Sequence, residues 1–316
     1  MYRFRYIVSA LWNSPSLCVF DWSTWRGTLI RNIAPRARRI PAKFNEAPRQ
    51  LAARLPRGVK ILLVHLDITD NAPFISDAAE FASVLSDRGI RALNCWVRDI
   101  RKRTLHASCK SYGLPVLAAA PTGPDNELLI VKTDLNSRGD REQLLSASQR
   151  AQFNLPARTG GVDHPPDYFV RRRGDLSPEV WSDPDLVVER YIQNPLNRFF
   201  RVYAAGDAIV ISEGFLDTHI KRMQEGIRRF NYWYRRDGES LRPDLAEDSK
   251  VPPSLLQTAG VFLHRFRLDY GAADLVESET GEFFIVDVNK TPYWGAERQP
   301  GLVEHLRRGL ITVARS

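Results

Sequence analysis

The sequence predicts a mixed fold, an α/β domain with a short parallel sheet followed by α+β subdomains. Three observations carry that expectation. The apolar run Val59 to Leu66 reads as a buried strand, followed by a helical stripe of Ala78, Phe81, Ala82 and Leu85 and a second strand at Ile90 to Leu93. Two later apolar runs, Leu128 to Lys132 and Leu186 to Ile192, read as strands ending near charged residues. Near the end of the chain, Ala273 to Glu277 and Glu282 to Val288 read as two strands joined by a turn at Glu279 to Gly281.

The 316 residues can bury a substantial core in one compact enzyme or in two to three small subdomains. No apolar run approaches the roughly 18 residues that mark a membrane-spanning helix, and the first residues lack a clean cleavage site, so neither a span nor a signal peptide is expected. The three cysteines, Cys18, Cys95 and Cys109, are odd in number and unpaired in spacing. They argue against a disulfide framework or a zinc site and for a reducing, cytoplasmic setting. The chain has no Gly-x-Gly-x-x-Gly and no Gly-x-x-x-x-Gly-Lys-Ser/Thr, which disfavours Rossmann and P-loop nucleotide sites.

The net charge of +8 is unevenly placed: residues 1–60 hold twelve Lys/Arg and two Asp/Glu, giving +10 and leaving −2 for the rest. Residues 1–57 combine Trp12, Trp22 and Trp25 with a run of arginines punctuated by Pro35, Pro41, Pro48 and Pro56, and show no sustained period. Two readings fit, an extension packed over the core with solvated arginines, or an arm for nucleic acid or another acidic surface. The expected division is therefore a basic extension at 1–57, a shortened α/β domain at 58–98, a first α+β subdomain at 99–192 and a second at 193–316.

In the α/β domain, Asp77 with Glu80 marks a helix start and Gly89 its stop. A helix is next expected from an Asp99 cap to Gly113, with Lys102 in its first turn. Lys132 ends an apolar strand, where an ammonium is poorly placed unless an anion such as a phosphate receives it. Thr133 to Gly139 follows as a loop containing Asn136, Ser137 and Gly139. Residues 217–248 interleave Phe230, Tyr232, Trp233 and Tyr234 with His219, Lys221, Arg222, Arg228, Arg229 and Arg235, and are read as a substrate-binding loop. Pro252 to Leu268 reads as a helix burying Leu255, Ala259, Phe262 and Phe266, and Pro300 to Ala314 as a closing amphipathic helix.

In the last hairpin, strict alternation puts Asp287 in line with Phe283 and Ile285, with Asn289 following on that face and Asp274 on the neighbouring strand. Two carboxylates and an amide oxygen make a hard, oxygen-only site that suits Mg²⁺ shared with phosphates. A solvated polar hairpin edge is the alternative.

Asp274 followed by Asp287-Val-Asn289-Lys-Thr-Pro292 resembles the metal-binding end of the ATP-grasp superfamily. In order along the chain, Lys102 before Gly113-Leu-Pro115, Val131-Lys132, Val188-Glu189, Arg201, Asp274 and Asp287-x-Asn289 are similar to its nucleotide elements over about residues 59–310. The resemblance implies ATP held between two α+β subdomains. Lys102 and Lys132 would meet the phosphates under a loop containing Ser137 and Gly139. Glu189 and the backbone of Arg190 and Ile192 would read adenine, and Asn197 would stand in for a missing ribose-binding acid. Asp274, Asp287 and Asn289 would hold Mg²⁺ or Mn²⁺. It also implies a ligase that activates a carboxylate as an acylphosphate for attack by an amine or thiol, with small-molecule acid and amine substrates. A kinase acting on a hydroxyl and a non-catalytic ATP-binding protein remain alternatives. One departure is Ala272, where peptide ligases of the superfamily often carry an arginine; Arg201 or Lys290 would take that catalytic role.

Overall fold

The computed structural model describes residues 16–22, 28–153, 155, 168–218, 229–244, 251–293 and 300–315. The parts of the sequence expectations that rest on Trp12, Trp25, His219, Lys221, Arg222 and Arg228 lie outside those residues.

Four strands form a parallel sheet in the order β2-β1-β3-β4: β1 (Leu17–Asp21), β2 (Arg38–Pro41), β3 (Ile61–His65) and β4 (Arg91–Leu93). Helices α1 (Leu29–Ile33), α2 (Pro48–Arg54) and α3 (Ala78–Ser86) lie in the three crossovers. The described residues between Leu17 and Arg57 therefore belong to the parallel sheet and its crossovers and are not an extension. Leu17 to Phe20 are fully apolar and buried because β1 is an interior strand of the sheet, flanked by β2 and β3. The basic residues of this stretch sit around it, with Arg38 and Arg39 exposed on the outer strand β2 and Arg39 paired to Asp21. Helix α3 starts where the sequence places it, Asp77 accepting from the amides of Ala79 and Glu80 at 2.7 and 3.0 Å.

Helix α4 (Lys102–Ser111) follows, and then a three-stranded antiparallel sheet in the order β6-β5-β7, made of β5 (Leu128–Thr133), β6 (Phe169–Arg172) and β7 (Leu186–Arg190). Leu129, Val131 and Val188 form its small core against α6 (Pro178–Ser182), while a short α5 (Ala147–Gln152) precedes β6. Asp99 does not cap α4 through its helix-start amides. Its carboxylate is held by Arg101 and Thr104, and the Arg103 amide instead donates to Asp134 Oδ1 at 2.9 Å, so the cap comes from the end of β5.

The largest sheet has six antiparallel strands in the order β11-β10-β9-β8-β12-β13: β8 (Arg198–Ala205), β9 (Ala208–Phe215), β10 (Arg229–Asp237), β11 (Ser240–Pro243), β12 (Tyr270–Glu277) and β13 (Phe283–Asn289). Within the proposed substrate loop at 217–248, the described stretch 229–244 is largely strand: β10 and β11 form the sheet's outer hairpin, and Tyr234 is core. One face packs on α7 (Pro253–Arg265) through Leu255, Ala259, Phe262 and Leu263. The other carries Tyr203, Ala205 and Val210 against α8 (Pro300–Arg315) and α1, a core shared with the parallel sheet. A Cβ on Gly309 would collide with the Ala205 carbonyl and Ala208, so glycine lets α8 lie directly on the β8–β9 turn. Asn94, just after β4, donates to the Tyr270 carbonyl at 2.6 Å and accepts from its amide at 2.9 Å, tying the parallel sheet to the start of β12. Among the described residues no helix is long and apolar enough to cross a membrane.

Candidate nucleotide and metal site

A cavity of about 380 Å³ opens between the three-stranded and six-stranded sheets. Its apolar part is lined by Leu117, Ile130, Ile192, Val276 and Val286, and its charged part by the residues whose pairing is described below. Strand geometry puts them there: Ile130 and Lys132 share the cavity face of β5, while Leu129 and Val131 face the small core.

The floor is a row of charges across neighbouring strands. Arg201 on β8 is the register partner of Asp274 on β12, and Asp274 is the partner of Asp287 on β13. Arg201 grips Asp274 with two bonds of 2.6 Å, and Lys102 from α4 donates to Asp287 Oδ1 at 2.7 Å. Burial works against the charge on both cations, but Asp274 and Asp287 outweigh it and raise the pKa of Arg201 and Lys102 above their ordinary values.

The expected alternation on β13 is corrected by a bulge. Asp274 pairs with Asp287, but Leu275 pairs with Ile285, leaving Val286 as the extra residue. Val286 and Asp287 consequently both face the cavity, whereas Phe283 and Ile285 face α7. The bulge removes the burial conflict that strict alternation created for Asp287.

The second charged group lies deeper. Lys132 Nζ sits 2.6 Å from Glu189 Oε2, and His106 Nε2 is 3.1 Å from Glu189 Oε1. Glu189 is 1% exposed. Burial pushes its pKa up, but Lys132 and His106 outweigh this and hold it down at about 2. The anion that receives Lys132 in this structure is therefore a protein carboxylate. His106 is not among the sequence candidates. Its signal was the helix stripe Lys102, Leu105, His106 and Cys109, all buried on one face of α4.

Of the sequence candidates, Lys102, Lys132, Ser137, Glu189, Arg190, Ile192, Arg201, Asp274, Asp287 and Asn289 line this one cavity. Gly139 takes φ 73° in the adjoining turn, after Ser137 at 47° and Arg138 at 61°. That run of left-handed residues is held by flanking bonds: the Asn136 amide donates to Thr69 Oγ1 at 3.0 Å, and Arg141 pairs with Asp67 at 2.6 Å.

Glu189, expected to read adenine, has its two oxygens engaged by Lys132 and His106, and three further placements differ from expectation. Lys290 is 1% exposed and outside the lining, its ammonium donating to the carbonyls of Thr69 and Arg98 at 3.3 Å. Burial lowers its pKa to about 8, and it braces the strand exit, so no contact with reacting groups follows from its position. Asn197 turns to Asp217 at 3.2 Å, and Asn194 lines the cavity instead. The Arg190 amide donates to the Leu117 carbonyl at 2.8 Å and is not free to read a base. Arg138, Asp140, Tyr168 and Tyr293 also line the cavity without having been singled out.

Among the described residues there is no cluster of three or more His, Cys, Asp or Glu side chains suited to a metal. The fit for Mg²⁺ rests on a smaller set: two adjacent carboxylates and the Asn289 amide oxygen, which accepts from the Thr291 amide at 2.8 Å. These donors are hard oxygens throughout and fit a cation that keeps part of its shell for water and phosphate.

The arrangement of sheets around this cavity is the ATP-grasp fold. Among solved structures, the chain is similar to the ATP-grasp ligase PsnB complexed with precursor peptide PsnA2 and AMPPNP, with 12% identity, TM-score 0.53 and coverage of 96% of this chain and 99% of that one. A second structure of PsnB, with a phosphomimetic variant of minimal precursor, Mg and ADP, matches at 11% identity and TM-score 0.52, covering 95% and 99%. D-alanine–D-alanine ligase from Bacillus anthracis complexed with ATP matches more loosely, at 10% identity and TM-score 0.44 over 95% and 96%. No protein-family description and no curated protein sequence matches the chain.

Proposed function

We propose that the protein is an ATP- and Mg²⁺-dependent ligase that activates a carboxylate as an acylphosphate for attack by an amine or thiol. The observation that carries this reading is the row Arg201, Asp274, Asp287 and Lys102 on the floor of one cavity, beside the apolar lining of Leu117, Ile130, Ile192, Val276 and Val286. The fold's likeness to PsnB, an ATP-grasp ligase, supports it.

When bound, Mg-ATP supplies a transferable phosphoryl group. The chain's own part is positioning and charge neutralisation. Leu117, Ile130, Ile192, Val276 and Val286 would hold the base. Lys102 would neutralise phosphate oxygens, Lys132 would stay with Glu189 at the cavity wall, and Asp274, Asp287 and Asn289 would hold the metal. Arg201, the cation nearest the two acids on the β8 side, would steady the carboxylate being activated. Ala272 is a buried core residue, so no arginine can act from that position.

The test is release of ADP and phosphate from Mg-ATP in pools of carboxylic acids and amines. The reading requires turnover only when an acid and an amine are both present. Ala272 keeps one second reading alive, a kinase acting on a hydroxyl. That enzyme would release ADP with no free phosphate.

A further inference from the structure

We propose that nucleotide and metal enter the cavity by an exchange of ion-pair partners, so that each binds poorly without the other. This rests on reading the cavity as a Mg-ATP site. In the structure both carboxylates assigned to the metal are already engaged: Arg201 occupies both oxygens of Asp274, and Lys102 holds Asp287. The same two cations are the groups that would meet phosphate and substrate oxygens.

Taken singly, either ligand leaves buried charge without a partner. Metal alone would draw Asp287 from Lys102, whose side chain is 1% exposed, and Asp274 from Arg201. Nucleotide alone would draw off the cations and leave two adjacent carboxylates bare beside phosphate. Stranding one member of a buried pair is more costly than the pair itself. When both ligands are present, each carboxylate faces the metal and each cation faces an anionic oxygen, and no charge is stranded. The resulting coupling is reciprocal: whatever nucleotide adds to metal affinity, metal adds to nucleotide affinity. Lys132 takes no part in the exchange, because Glu189 is sealed between it and His106.

The test titrates Mn²⁺ alone, following the free ion by electron paramagnetic resonance, into the unaltered protein, Lys102→Met and Arg201→Leu. Each substitution frees one carboxylate, so each variant should bind Mn²⁺ without nucleotide at least about tenfold more tightly than the unaltered protein. The same variants should bind the β,γ-imido analogue of ATP with Mn²⁺ at least about fivefold more weakly. Opposite signs in the two titrations are the signature of exchange. Circular dichroism checks each fold, and Lys102→Gln replaces any variant that fails it. Equal Mn²⁺ affinity in variant and unaltered protein, with the Mn²⁺–analogue complex still binding the latter, would overturn the exchange and leave the site assignment standing. Failure of that complex to bind the unaltered protein would remove the site assignment, and the exchange with it.

Discussion

The cavity holds two charged groups that differ in access to water and in the number of partners each carboxylate has. In the inner one, Glu189 is 1% exposed and takes a cation on one oxygen and a histidine on the other. In the floor row, Asp274 and Asp287 are 20% and 31% exposed, and each has a single cationic partner. Similar residue types therefore do different work. The sealed group fixes the geometry of β5, β7 and α4, while the open row can trade partners with a ligand.

Breaking the sealed group should have the largest effect. Lys132→Met leaves Glu189 buried beside His106 alone and should cost about 3–5 kcal/mol of stability, read from the denaturant midpoint. Replacing Glu189 with Leu in the same chain should recover much of that loss, because an apolar pair leaves no stranded charge. If the single variant is as stable as the parent, the inner group is not structural.

The floor row should respond the other way round. Asp287→Asn keeps an oxygen for Lys102 and should cost only about 1–2 kcal/mol in stability, yet it should abolish Mg-dependent ATP turnover. A variant that keeps turnover would remove Asp287 from the metal set.

Acid sharpens the contrast. The Glu189 pKa is depressed in the folded protein, from 4.5 to about 2. Its contribution is thus fully present above about pH 4.5 and is lost as pH falls towards 2. In Lys132→Met the largest depressing influence has gone, so the folded-state pKa moves back up and the loss of stability that Glu189 contributes in acid should be smaller than in the parent. Coincident acid unfolding curves would contradict the assignment.

The smallest expected effect belongs to His106→Gln, which can keep a donor towards Glu189 and should cost about 1 kcal/mol, a modest fall in melting temperature. Lys110→Met, on the same helix but away from the cavity, is the control and should change nothing measurable.

Much of the cavity was legible because its residues sit at element ends, where a charge after an apolar run is conspicuous. Lys132, Glu189 and Asp287 are of that kind, and the polar Asn289 ends β13. What the sequence hid had physical reasons. Strand β1 is a five-residue run between tryptophans and arginines, too short to show a period, and only its pairing with β2 and β3 reveals it. The bulge at Val286 leaves no compositional mark, yet it reverses the facing of every later residue on β13. Lys290 looked catalytic because it adjoins the metal motif, but a side chain just past a strand is aimed by the turn that follows, here towards Thr69 and Arg98. Asp134 caps α4 across a gap in sequence that no local capping pattern can display.

Thr69 has a consequence for the dynamics of the whole cavity. Its amide donates to Glu142, its hydroxyl accepts from the Asn136 amide, and its carbonyl receives Lys290 and the Ile100 amide. One loop residue of the parallel sheet thus holds both flanks of the left-handed turn, the run leading into α4 and the exit of β13. Segments pinned to one point open together or not at all, so they should behave as one cooperative unit in native-state hydrogen exchange. The amides of Thr69, Ile100 and Asn136 should then exchange with a common opening free energy, and Thr69→Val, which replaces only the hydroxyl with a methyl, should release Asn136 from that group first.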